Sequence, residues 1–218
     1  MDKFFSTDTK FYAAWSLLAD LVIINILMIA TSFPVLTGGI ATRTGAVVTR
    51  NMVRDEGSNA TRTYFQSLTR NWRTPTIWWL LLLLLTCGIS YELYVISRAD
   101  LGTTGMIFNA GVISGALILL GITAWFFPLC ALDDDHMPLG RTLATAAGLA
   151  IRHLPRTALA VLAMAIVPLA IFFFPTHLWA IVTYWALIGR AMSWYLVQLA
   201  VEPALPKASE LRAVVATG

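Results

Sequence analysis

Long runs of apolar residues alternate with shorter polar and basic connections along the chain. Five runs reach or approach the roughly 20 residues that an α-helix needs to cross the hydrocarbon core of a bilayer. Helices are favoured there because every backbone polar group in hydrocarbon must be paired. The predicted membrane helices cover residues 13–33, 76–96, 105–129, 157–174 and 178–201. The pattern predicts an all-α integral membrane protein with a single five-helix transmembrane domain at 1–203 and a short cytoplasmic tail at 204–218.

Composition supports this interpretation. Of the 218 residues, 58% are hydrophobic and 12% are charged, whereas a soluble domain is about 25% charged. An ordinary soluble enzyme and a disordered chain are therefore excluded. The net charge of +3 does not indicate nucleic acid as a partner, because the basic residues lie between the apolar runs.

The basic residues predict how the chain is oriented. The first connection carries six, the third connection three and the tail two, whereas the opposite side carries only Lys3, Lys10 and Arg98. Because cytoplasmic segments are enriched in Lys and Arg, the N-terminus is predicted outside and the C-terminus inside.

Both predicted cytoplasmic connections have helical periodicity. In the first, Tyr64, Phe65 and Leu68 share one face, and an earlier stripe contains Val47 and Met52 opposite basic residues. Such basic amphipathic helices are typical of the membrane interface, and they either orient the protein or form a docking surface for a partner. The arginines of this predicted interaction surface are Arg43, Arg50, Arg54, Arg62, Arg70, Arg73, Arg141, Arg152 and Arg156.

Three ionisable residues and one asparagine within the predicted spans are candidate functional residues. Asp20, Glu92 and Arg190 are ionisable, and ionisable groups in hydrocarbon are expected to face protein or water and to find partners. We expect an intramembrane pair between Arg190 and either Asp20 or Glu92, serving structure or a proton or substrate pathway. Asn25 is expected to hydrogen-bond between helices or to line a polar cavity.

No motif in the sequence indicates catalysis, a cofactor or a metal. Three aspartates at 133–135 precede His136, but adjacent carboxylates do not converge on one ion in a regular structure. They are expected to complement the N-terminal end of the following helix. The sequence therefore predicts a protein that is not an enzyme.

The segment Pro-Val-Leu-Thr-Gly-Gly-Ile-Ala-Thr at 34–42, after a span that contains Asn25, resembles the YesL family of bacterial membrane proteins. The stretch Arg-Asp-Glu-Gly at 54–57 and the Tyr64 helix also resemble that family. The resemblance implies association with carbohydrate uptake systems of the ABC type, and it transfers no catalytic residue.

Two functions follow as hypotheses. The first is a multi-pass accessory protein of the bacterial plasma membrane that assists a carbohydrate ABC importer, with importer subunits as partners. The alternative is a small oligomeric transporter or channel with a polar route near Asp20, Asn25 and Arg190. The lipid bilayer is a partner in both, and the second requires copies of the same chain.

Overall fold

The computed structural model describes residues 5–56, 59–98, 102–132 and 137–206, and no strand occurs among them. The α-helices of these residues are α1 (Phe5–Thr31), α2 (Gly38–Val53), α3 (Ala60–Leu68), α4 (Arg73–Arg98), α5 (Gly102–Leu132), α6 (Leu139–Arg152), α7 (Leu154–Phe173), α8 (Leu178–Tyr184) and α9 (Arg190–Val201). A π turn at Trp185–Gly189 joins α8 to α9. The predicted tail lies almost entirely outside the described residues.

Four segments are long and apolar enough to cross a membrane: Ala14–Thr31, Arg73–Arg98, Thr104–Leu132 and Leu154–Phe173. They coincide with the first four predicted spans, which is consistent with a multi-pass membrane protein. The fifth predicted span is helical, but the π turn divides it into the two short helices α8 and α9. The fifth crossing and the orientation of the chain stay predictions.

Helix α2 corrects the prediction of a surface helix in the first connection. Ten of its sixteen residues are buried, and it contacts α1, α3, α4, α5 and α9. Burial does not follow the predicted faces: Arg43 and Val48 are buried, Val47 and Met52 are half-buried, and Arg54 is exposed. The physical reason is that Gly, Ala and Thr have little hydropathy but allow helices to approach closely.

Three glycines of α2 are required by that close approach. A Cβ at Gly38 would lie 2.5 Å from the Trp79 indole, and one at Gly39 would overlap the Pro75 carbonyl oxygen. A Cβ at Gly45 would lie 2.5 Å from the Met28 side chain. The backbone contact at Gly39 leaves no room for a side chain between α2 and the beginning of α4, whereas the contacts at Gly38 and Gly45 are with the side chains of Trp79 and Met28.

We call α2 and the buried side chains around it the α2-centred core. The surrounding residues come from α1, α4, α5 and α9. They are Leu21, Ile24, Met28, Trp78, Trp125, Phe126, Phe127, Leu129, Trp194 and Val197.

The far halves of α4 and α5 are packed differently. We call residues 80–98 and 104–120 the α4–α5 arm. No side chain of 80–98 is buried, and in 104–120 only Gly105 is. A Cβ added at Gly111 or Gly115 would meet nothing within 4 Å, so these small residues of α5 form no close helix contact within the described chain.

Candidate functional site

The π turn is held by a single side chain of α1. The Asn25 side-chain amide donates to the carbonyl oxygens of Trp185, at 3.2 Å, and Ala186, at 2.7 Å. Its amide oxygen accepts a hydrogen bond of 2.9 Å from the Ala191 backbone N–H. A π turn disturbs the regular hydrogen bonds of an α-helix, and unpaired backbone groups are costly in hydrocarbon. Asn25, which is fully buried, therefore stabilises the turn that places Arg190.

Arg190 begins α9 directly after this turn. Its Nη1 donates to the Ser32 hydroxyl and its Nη2 to the Thr42 hydroxyl, each at 2.8 Å. Both hydroxyls donate in turn to carbonyl oxygens of their own helices or helix ends, Ser32 to Met28 and Thr42 to Gly38. The guanidinium is thus held between α1 and α2 by neutral oxygen atoms.

The structure corrects the expected ion pair of Arg190. Among the described residues, the salt bridges involve other side chains, and neither Asp20 nor Glu92 is paired with Arg190. Glu92 is exposed on the α4–α5 arm and Asp20 is half-buried on α1. The reason is that α2, taken for a surface helix, packs beside α9 and presents Thr42 to the guanidinium.

A cavity of about 690 Å³ lies between α4, α5, α7 and α9. Arg190 and Thr42 line it together with the three indoles of Trp79, Trp185 and Trp194. Most of the remaining wall is aliphatic and comes from the α4–α5 arm, including Leu82, Leu83, Leu119 and Leu120. Arg190 is the only ionisable side chain that lines this cavity in the described chain. Asp20, Asn25 and Glu92 do not line it.

Tyr64 of α3 adds a polar contact near Arg190. Its hydroxyl lies 2.6 Å from the Thr31 hydroxyl, which itself donates to the Leu27 carbonyl; Tyr64 is therefore the donor. Burial raises the pKa of the Tyr64 phenol, and the positive charge of Arg190 acts in the opposite direction. The phenol is neutral, so it does not neutralise Arg190.

Arg43, expected on the interaction surface, is instead only 2% exposed. Its Nε donates to the Cys130 carbonyl at 3.1 Å, and its Nη1 donates to the carbonyls of Ser67, at 2.9 Å, and Arg70, at 3.0 Å. Ser67 and Cys130 lie in the last turns of α3 and α5, where carbonyls lack helical partners and the helix dipole is negative. Arg43 thus joins two helix ends to α2.

Two further arginines of that predicted surface share one carboxylate. Glu202, just after α9, accepts from Arg50 at 3.2 Å and from Arg54. Glu202 and Arg50 are largely buried, at 10% and 15% side-chain exposure. This triad joins the C-terminal ends of α2 and α9.

The other six arginines are distributed more as expected. Arg62, Arg70, Arg73 and Arg152 are exposed, and Arg141 and Arg156 are half-buried. Arg73 lies 5.6 Å from the centre of the Trp72 ring, and Arg156 donates to the Ala200 carbonyl at 3.3 Å. The exposed basic surface is therefore smaller than the sequence predicts.

Among the described residues, no group of three or more His, Cys, Asp or Glu side chains is placed to hold a metal ion. The acidic stretch at 133–135 and His136 lie outside the described residues.

The functional residues that the sequence did not single out are Ser32, Thr42, Tyr64 and Glu202. Thr42 lies in the segment that carries the YesL resemblance, which was the available signal. Glu202 is an acidic residue at the end of an apolar run, on the same predicted side of the membrane as the basic connections. Tyr64 lies in a helix that carries part of the same resemblance, whereas Ser32 gave no such signal, because a hydroxyl in an apolar run has many neutral interpretations.

Residues 21–93 match the model of a family described as a protein of unknown function, DUF624. No curated protein and no solved structure matches the chain. The matched segment contains Asn25, all of α2 and Arg43, but not Arg190. The match is consistent with the resemblance to YesL proteins without naming that family. Over this third of its length, the chain is similar to an uncharacterised family of proteins.

Proposed function

We propose that the chain is a non-catalytic accessory protein of the bacterial plasma membrane that assists a carbohydrate uptake system of the ABC type. The α4–α5 arm carries this proposal. Leu84 is 70% exposed and Ile118 is 64% exposed, so two long apolar helix faces are available to the helices of another membrane protein. The YesL resemblance supplies the class of partner.

The polar residues favour this role over the alternative of an oligomeric transporter. A polar route would need Asp20, Asn25 and Arg190 to line one passage. The cavity beside Arg190 is lined by neither of the other two, and Asn25 uses its amide in hydrogen bonds to the π turn. The contacts of Asn25 support a structural role for this residue rather than a place in a polar route.

A site-specific photo-crosslinking experiment tests the proposal. A photoreactive phenylalanine analogue replaces Leu84 or Ile118 on the arm, and in matched variants it replaces Arg62 on the exposed side of α3. After irradiation of intact cells, mass spectrometry identifies the cross-linked proteins. We expect an ABC permease subunit from the arm positions and little or none from position 62.

Uptake of radiolabelled sugars provides the functional part of the experiment. Deleting the gene should lower uptake of the sugar carried by the cross-linked importer, and the unmodified chain should restore it. Cross-links only between copies of this chain, together with substrate flux when the pure protein is placed in liposomes, would overturn the accessory role in favour of the transporter.

A further inference from the structure

The cavity beside Arg190 combines features that the accessory role does not use. Its volume of about 690 Å³ falls within the range of pockets that bind small molecules. Its walls are largely leucine, tryptophan and phenylalanine, and the polar atoms come from Arg190 and from threonines at positions 42, 86 and 123. Such a lining suits a ligand with one polar end and a long apolar portion.

The polar end of the cavity carries an uncompensated positive charge. Arg190 contacts two neutral hydroxyls, whereas a guanidinium has five N–H donors. Three of its donors therefore have no hydrogen-bond acceptor within the described chain. A guanidinium in apolar surroundings is stabilised by an anion, and its planar fork matches the oxygens of a carboxylate or a phosphate.

The cavity reaches the surface of the helices on its α4 side. Leu85 and Thr86 of α4 line it and are exposed. Both belong to the α4–α5 arm, within an apolar segment that could cross a membrane. A molecule in the bilayer can therefore enter between the helices without passing through water.

We propose that this cavity binds an anionic amphiphile from the membrane. Its carboxylate or phosphate accepts hydrogen bonds from the free N–H groups of Arg190, and its acyl chain lies along the leucines of α4 and α5. A free sugar does not fit this lining, because few polar atoms would replace the hydrogen bonds of its hydroxyls with water. The proposed site is independent of any importer.

Tryptophan fluorescence provides the test, since Trp79, Trp185 and Trp194 line the cavity and bromine atoms on an acyl chain quench nearby indoles. The full chain in phosphatidylcholine nanodiscs is titrated with dibromostearate, with brominated phosphatidylglycerol and with brominated stearyl alcohol, which has no charge. We expect saturable quenching by at least one anionic probe, at about ten-fold lower concentration than for the alcohol. Comparison of dibromostearate with brominated phosphatidylglycerol shows whether a carboxylate or a phosphate headgroup is preferred.

Two variants separate the contribution of the Arg190 charge to binding from that of the cavity volume. Arg190→Gln should weaken anionic quenching about ten-fold and leave the alcohol unchanged. Ala116→Phe, on the cavity wall away from Arg190, should weaken quenching by every probe. Arg156→Gln is the matched control, because this half-buried arginine does not line the cavity, and it should bind like the parent chain.

Several results would overturn the proposal. Equal quenching by the alcohol and the anionic probes would show only contact with lipid, and an unchanged Ala116→Phe variant would place the probes elsewhere. Displacement of the brominated probes by inorganic phosphate alone would show that the site takes an anion without a chain. If Arg190→Gln does not fold, two results still test the proposal: the difference between the anionic probes and the alcohol in the parent chain, and the quenching of the Ala116→Phe variant.

Discussion

The α2-centred core and the α4–α5 arm contain the same kinds of residue, but these residues have opposite surroundings. Gly39 leaves no room for a Cβ, whereas Gly111 has nothing within 4 Å of one. Asn25 is saturated by hydrogen bonds in the core, whereas Asn109 is half-exposed on the arm. The comparison teaches that the core is fixed by contacts within the chain, while the side chains of the arm have few such contacts and are largely exposed.

Four matched pairs of variants test this comparison, each with one residue in or bordering the core and one of the same type on the arm. In every pair, the resistance of the purified protein to heat in mild detergent is measured by the fraction that remains monodisperse on size exclusion. A chemical denaturation series gives the free energy of unfolding.

The largest effect is expected for Arg43→Met. The substitution removes one buried and two part-buried hydrogen bonds, to the carbonyls of Cys130, Ser67 and Arg70, and a hydrogen bond from a charged group contributes about 1.5–3 kcal/mol, less where it is partly exposed. We expect a loss of about 4 kcal/mol. Arg98→Met on the arm removes an exposed arginine 5.3 Å from the Tyr94 ring and should cost at most about 1 kcal/mol. Equal losses would contradict the comparison.

Gly39→Ala should have the next largest effect. The new Cβ overlaps the backbone of Pro75, which cannot move as easily as a side chain, and overpacking costs about 1–3 kcal/mol. Gly111→Ala should be neutral or stabilise α5 by up to about 1 kcal/mol, because alanine has the higher helix propensity. A stable Gly39→Ala variant would show that α2 and α4 can separate at little cost.

Asn25→Ala removes three hydrogen bonds from the π turn. Interhelical hydrogen bonds in membrane proteins average about 0.6 kcal/mol each, so we expect a loss of about 1–2 kcal/mol. Asn109→Ala on the arm should change stability by less than about 0.5 kcal/mol. A similar loss in both variants would mean that the arm is held by polar contacts of its own.

The smallest effect is expected for Glu202→Gln. It removes the charge that Arg50 and Arg54 share, and because Arg54 is partly exposed, solvent screening limits the loss to about 0.5–1 kcal/mol. Added salt should reduce the difference from the parent chain. Glu92→Gln, at an exposed position on the arm, serves as the control; a salt-dependent loss there would indicate an ion pair on the arm.

Hydropathy predicted the long helices well because a run of about 20 apolar residues has few alternatives to a helix that could cross a membrane. It failed for α2, whose Gly, Thr and Ala residues have little hydropathy of their own. The small residues of α2 let Trp79, Pro75 and Met28 approach the helix closely. A single sequence does not show which residues will be these neighbours.

The polar site was predictable only in its residue types. Asn25 and Arg190 stand out because polar groups in apolar runs need partners. Asn25 binds the backbone of a turn, and Arg190 binds two hydroxyl groups. These partners carry no charge, so a search of the sequence for opposite charges does not find them. Arg43 illustrates the same limit: counting basic residues for orientation treats a buried arginine and an exposed one alike.

The π turn at Trp185–Gly189 has a consequence for insertions and deletions in this protein. Its wider winding accommodates about one residue more than an α-helical turn would, and one residue corresponds to a rotation of about 100° around a helix. Deleting a single residue there would restore a regular helix of nearly the same length and hydropathy. It would leave Arg190 and Trp194 facing nearly the same way relative to α8, because the turn already absorbs the extra residue. The change would fall instead on the carbonyl groups of the turn that Asn25 binds.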